Sequence, residues 1–200
     1  MVYCKPGNRV LALTCCIHEP SLFIRRHSTG VTLIELILCL CMLSVLIAFA
    51  TPSMNALLER QRTLAATHTL IGHLATARTS AIMRKRPVVV CPATEDHLQC
   101  AVGSNWSKSY LVFLDPDGNQ QPDHPEDILM VQQNPLGGTL QLYGTIGRPK
   151  VRYLPNGRSP GSNVTFSICN ARGKLLAQVI VNNAGRARST RPKHATVCPS

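Results

Sequence analysis

The sequence predicts an α+β fold: one long N-terminal helix, apolar in its first half and amphipathic in its second, packed on an antiparallel β-sheet head. Three observations carry this. Val31 to Ala50 is apolar apart from Glu35. Apolar positions then recur at helical spacing until Pro87, and beyond it short β-rich runs alternate with turn residues. With 200 residues there is room for one compact domain beside the apolar run.

Residues 1–30 contain Cys4, Cys15 and Cys16 without sustained periodicity. They end in Arg25, Arg26 and His27 before Gly30. Residues 31–51 follow as a helix about 30 Å long, which matches the hydrocarbon thickness of a bilayer. The basic residues precede this span and the next one after it is Arg60, so the positive-inside bias places the N-terminus in the cytoplasm. A secretory signal peptide would need small residues at a cleavage site after the apolar region, and Thr51-Pro52-Ser53 does not supply it.

Residues 52–86 read as an amphipathic continuation. Leu57, Leu64, Ile71, Leu74, Ala75 and Ile82 recur with Arg60, Arg62, Arg78 and Arg84 between them. Pro52 lacks an amide hydrogen and should bend the junction. Arg84-Lys85-Arg86 falls in the last turn, where cations complement the helix dipole, and Pro87 closes it. That placement accounts for the cluster without a ligand.

Residues 87–200 form the expected head. Val88–Cys91, Tyr110–Leu114, Ile128–Gln132, Leu140–Tyr143, Val151–Leu154, Val164–Cys169 and Leu175–Val181 read as strands. Asp-Pro-Asp-Gly, Asn-Pro-Leu-Gly-Gly, Pro-Asn-Gly-Arg and Asn-Asn-Ala-Gly stand between them as turns.

The basic leader, Gly30 and the hydrophobic helix opening Val31-Thr32-Leu33-Ile34-Glu35 together resemble the type III signal of type IV prepilins and type II secretion pseudopilins. Val31 stands where the family usually has phenylalanine. The resemblance implies cleavage by a prepilin peptidase between Gly30 and Val31 and N-methylation of Val31. It also implies that Glu35 meets the amine of a neighbouring subunit's first residue and so sets axial register. A carboxylate near a helix end that only snorkels to the interface is the alternative.

Further along, Cys91-Pro92 through Cys100, Trp106, Phe113, Asp115, Gly118, Pro155-Asn156-Gly157 and Cys169 resemble the globular part of the GspH/FimT family of minor pilins and pseudopilins. This implies a pilin-like fold, a single pass through the bacterial inner membrane with the head in the periplasm, and incorporation into an extracellular pilus. The implied partners are other major and minor pilins, the prepilin peptidase and the inner membrane.

Of nine cysteines, Cys39 and Cys41 lie in the apolar run, where no charge stabilises a thiolate. Cys91, Cys100, Cys169 and Cys198 remain beyond it, and an even number in an oxidising compartment points to two bridges. Sequence-local closure favours Cys91 with Cys100 and Cys169 with Cys198. No cofactor or metal is expected. The cysteine spacings are not those of zinc sites, and Asp115-Pro-Asp-Gly-Asn brings its glycine too early for an EF-hand loop.

The chain carries 21 Lys and Arg against 10 Asp and Glu, a formal charge of +11. The excess is segregated: most carboxylates beyond the leader lie between Glu95 and Asp127, and none occurs from Ile128 to Ser200. Such a surface favours polyanionic partners. Its sharpest feature is Gly185-Arg186-Ala187-Arg188. In an extended chain, residues i and i+2 share a face about 7 Å apart, comparable with two 3.4 Å steps along a DNA strand. Each guanidinium can then grip a phosphate with two donors.

A Gly-Arg-x-Arg tail resembles the DNA-binding region of FimT-type minor pilins, which implies DNA capture in natural transformation. Arg186 and Arg188 would be the main contacts, with Arg191, Lys193, Arg148, Lys150 and Arg152 supporting. Residues 182–200 contain no aromatic side chain for stacking bases, so the expected ligand is double-stranded DNA read through its phosphates. Charges protecting an edge strand would produce a similar pattern.

The scattered histidines and the lack of a serine or cysteine with an evident base argue against an enzyme. The alternative function is structural: a minor pilin or pseudopilin that primes pilus or type II secretion pseudopilus assembly without binding DNA.

Overall fold

The computed structural model describes residues 30–161 and 163–199, except the side chains of residues 49–53. The expected leader, with Arg25, Arg26 and His27, lies outside the described residues apart from Gly30. So does the expected bend at Pro52, although the α-helical assignment is continuous there.

Helix α1 runs Leu33–Arg84. Thr32 caps its start: its hydroxyl accepts the Glu35 amide at 3.3 Å and its carbonyl accepts the Leu36 amide at 3.2 Å. Glu35 is thus the first-turn carboxylate of a Thr-x-x-Glu N-terminus, where the helix dipole favours negative charge. The chain divides into two compact units, one ending at Ile47 and the other spanning Ala48–Ser200.

In the first unit the helix is apolar all round and exposed all round. Leu33 is 77%, Ile34 66% and Leu46 65% exposed, a pattern that requires lipid or other chains to cover it. Among the described residues no helix is long and apolar enough to cross a membrane.

The second unit contains eight strands. They are β1 Val88–Pro92, β2 Ser109–Leu114, β3 Ile128–Gln133, β4 Leu140–Tyr143, β5 Val151–Tyr153, β6 Val164–Asn170, β7 Leu175–Val181 and β8 Ala187–Thr190. They form two antiparallel sheets, in the orders β3-β2-β1-β5 and β4-β6-β7-β8. The sequence pointed to one sheet region and did not include β8 as a strand. The chain crosses to the second sheet at β4, returns for β5, and crosses back for β6. Lys85 ends the helix at φ 53°, a left-handed residue, so Arg84 and not Arg86 is the last helical position.

The core joins α1 to both sheets. Thr63, Ala66, Thr67, Leu70, Leu74, Ala77 and Ala81 form the buried stripe of the helix. This is rotated from the expected apolar positions: Leu74 is buried, but Leu57 is 50% and Ile82 45% exposed. Small side chains win because they let the helix approach the sheets closely. The threonine hydroxyls remain satisfied by bonding backbone carbonyls one turn back, Thr63 to Glu59 and Thr67 to Thr63. Facing the stripe are Val88 and Val90 of β1, Tyr110 and Val112 of β2, Phe166 and Ile168 of β6, and Val179 and Val181 of β7. Trp106 wedges between the sheets, its ring 4.7 Å from Phe166 and 5.7 Å from Tyr110.

β1 and β2 are buried on both faces, which explains their unbroken apolar sequences. Their outer face packs Val89, Leu111 and Phe113 beneath the Cys91–Cys100 bridge. The second bridge joins Cys169 to Cys198. Cys39 and Cys41 are free and exposed.

Candidate nucleic-acid interface

The basic tail is a hairpin arm, clamped at both ends. β7 and β8 are joined through Asn182–Arg186, where the Asn182 amide donates to the Arg186 carbonyl at 3.1 Å and the Arg186 amide donates to Asn182 Oδ1 at 2.9 Å. Gly185 occupies the left-handed position, φ 74°, that a three-residue hairpin loop requires. Val181 then faces Ala187, and Ile180 faces Arg188. Ala187 packs against the core as Val181 does, Arg186 closes the hairpin loop just before β8, and Arg188 lies within the strand. Both are exposed, and among the described residues neither forms an ion pair.

After Thr190 the chain bulges outward through Arg191 and Lys193, both exposed, and then rejoins β7. There the Leu175 amide donates to the Thr196 carbonyl, and Val197 bridges Lys174. The Cys169–Cys198 bond fixes the end of the bulge. The cations therefore stand on ordered backbone.

The residues that flank β8 meet different turns of α1. Arg186 lines a groove with Ile71, Ala75 and Arg78. Arg191 lines another with Ala56, Glu59, Arg60 and Thr63. Arg186 and Arg191 are five residues apart, about 17 Å in extended chain, so the two grooves meet neighbouring stretches of the helix.

Arg148, Lys150 and Arg152 gather elsewhere, in a concavity with Gln120, Gly147, Pro149 and Pro160. Each is engaged with the protein. Arg148 Nη2 donates to the Pro160 carbonyl at 2.8 Å and Lys150 Nζ to the Gln120 carbonyl at 2.7 Å. Arg152 Nε lies 3.3 Å from Oδ2 of the fully buried Asp115, an ion pair without hydrogen-bond alignment. Burial lowers the Lys150 ammonium pKa from its usual value, and the Asp115 charge partly opposes that. The Lys150 and Arg152 contacts hold loop 115–121 against β5 and the residue before it. The β5–β6 loop touches both basic regions, meeting Arg78 through Gly157 and Arg148 through Pro160 and Gly161.

The acidic loop uses its carboxylates locally. Asp115 Oδ1 accepts the Gln120 amide, Asp117 Oδ1 the Asn119 amide and Asp123 Oδ1 the Asn119 side-chain amide. Among the described residues no group of three or more His, Cys, Asp or Glu could hold a metal. One contact that the sequence did not reveal is His73 Nδ1 to the Tyr110 hydroxyl, 2.7 Å, between the helix and β2.

The family model described as Type II transport protein GspH matches residues 66–185. Two crystal structures of the Pseudomonas aeruginosa type IV minor pilin FimU superpose with TM-scores of 0.53 and 0.51, each at 20% identity. They cover 70% and 68% of this chain and 98% and 99% of theirs. The minor pseudopilin EpsH from the Type 2 Secretion System of Vibrio cholerae has a TM-score of 0.45 at 18% identity, covering 66% of this chain and 98% of that one. No curated protein matches the chain. At such identities the FimU likeness is one of fold.

Proposed function

The chain belongs to the GspH family, and from that membership and its minor-pilin fold we propose that it is a DNA-binding minor type IV pilin serving DNA uptake in natural transformation. A prepilin peptidase cleaves between Gly30 and Val31, and Val31 is N-methylated. Residues 31–51 hold the subunit in the inner membrane and then in the filament core beside other pilins, where Glu35 meets a neighbour's amino terminus. The head stands in the periplasm and later on the pilus.

The observation that carries the DNA reading is the pair Arg186 and Arg188: exposed, two residues apart where the hairpin enters edge strand β8, and without a carboxylate partner among the described residues. Residues two apart in extended chain lie about 7 Å from each other, which suits two phosphates of one strand, and phosphate contacts carry no sequence information, so binding is independent of sequence. Arg191 and Lys193 add charge further along the same arm. Arg148, Lys150 and Arg152, already committed to carbonyls and to Asp115, contribute field more than direct contact.

A gel shift of the detergent-solubilised full chain with duplex DNA tests this. The parent retards DNA at low salt, and Arg186→Ala with Arg188→Ala removes the shift. Retardation that survives the double change would place the site elsewhere. No retardation by the parent would leave a structural pilin or pseudopilin.

A further inference from the structure

Within the second unit, the N-terminal turns of its helix carry a cationic collar distinct from the Arg186 and Arg188 pair. A groove of about 630 Å³ is lined by Asn55, Leu58, Glu59, Arg62, Thr139 and Arg172 among others, and the groove next to it by Arg60 and Arg191. All four arginines are exposed, and none has an ion-pair partner among the described residues. The one carboxylate here, Glu59, is held through Oε1 by Asn170 Nδ2 at 2.8 Å. The collar therefore presents four guanidinium groups with amide and hydroxyl donors between them.

We propose that this collar binds the phosphate headgroups of anionic phospholipids while the subunit waits in the membrane. The proposal rests on residues 31–51 spanning the bilayer and does not need the DNA reading. Arg60 lies ten residues beyond Ala50, about 15 Å along an α-helix. Helical side chains lean toward the N-terminus of their helix, so Arg60 and Arg62 reach back toward the membrane surface. Arg172, on the β6–β7 turn, and Arg191 come to the same level because they share grooves with Arg62 and Arg60. Each cation within a Debye length of an anionic surface strengthens attraction about fivefold. Guanidinium forks suit phosphate oxygens.

The test uses the full chain in nanodiscs of phosphatidylcholine, with or without phosphatidylglycerol, read by amide hydrogen exchange at the turn 171–174 and the bulge 192–195. Phosphatidylglycerol slows exchange there by about fivefold or more. Arg60→Gln, Arg62→Gln and Arg172→Gln together abolish the slowing, and the corresponding lysine substitutions keep it because charge suffices. Arg186→Ala with Arg188→Ala leaves it unchanged. Slowed exchange in a protein that shifts no DNA supports the collar while removing the DNA reading. Equal exchange in both discs, with β6 and β7 still protected, overturns the proposal. Equal exchange together with loss of DNA binding in the glutamine variant assigns the collar to DNA and overturns it too.

Discussion

Gly185, the glycine of the Gly-Arg-x-Arg stretch, is pressed against the Gly157 carbonyl so closely that a Cβ on it would come within 2.1 Å of that oxygen. Arg78 Nε donates to the same oxygen at 2.8 Å. The helix, the β5–β6 loop and the basic hairpin thus meet at one carbonyl. Gly185→Ala therefore meets both a left-handed φ and a backbone collision. Unfolding by urea should show a loss of about 2–4 kcal/mol. Gly173→Ala, with φ 71° but nothing within 4 Å, should lose only about 1 kcal/mol. Equal losses would mean that the hairpin is free to move off the loop.

Arg152 and Arg188 should separate stability from binding. Arg152→Gln leaves the buried Asp115 carboxylate without its cation and should destabilise by about 1–3 kcal/mol, with the lower end favoured by the partial exposure of Arg152. Arg188→Ala should change stability by less than about 0.5 kcal/mol and weaken DNA binding. Denaturation midpoints and DNA titrations on both variants check this. The opposite pattern would move the site to the Arg148–Arg152 concavity.

The His73–Tyr110 contact makes docking of the helix on β2 pH-sensitive. Burial lowers the His73 pKa from its ordinary value, and Tyr110, fully buried, has its own pushed up. Unfolded histidine takes up its proton near pH 6.5, the folded one only at lower pH. Stability from this source is therefore full above about pH 6.5 and falls as pH drops through the folded value. Melting temperatures at pH 7.5 and 5.5 should differ more for the parent than for His73→Gln. An identical difference would remove His73 as the source.

Cys169–Cys198 closes 29 residues of sequence around β7, β8 and the bulge. Cys198→Ser with Cys169→Ser should cost about 3–4 kcal/mol by loop entropy. Hydrogen exchange in residues 191–197 should quicken, because only the Lys174–Val197 bridge and two nearby backbone bonds still hold that end. Unchanged exchange would show that these bonds suffice.

The long helix and seven of the strands were legible because each has a strong local pattern, such as the apolar run of β1 and the apolar-polar alternation of β6 between turn residues. β8 was not, since Ala187-Arg188-Ser189-Thr190 has no apolar alternation and becomes a strand only through the hairpin and β7. The division into two sheets was equally hidden: β4 and β5 read alike, and partner choice depends on Trp106 and the 104–107 segment bridging to β4. The helix stripe was misread because alanines and threonines pack where leucines were expected. At the site, the sequence showed the charge of Arg148, Lys150 and Arg152 but not the carbonyls and the buried Asp115 that occupy them. It showed the exposed charge of Arg186 and Arg188, but not the hairpin loop that holds Arg186 outside β8 and beside the helix.

The most direct test is the salt dependence of duplex DNA binding by the full chain. If Arg186 and Arg188 each neutralise one phosphate, the slope of log K against log salt should be shallower by about 0.9 in either single alanine variant than in the parent. Equal slopes would contradict that account.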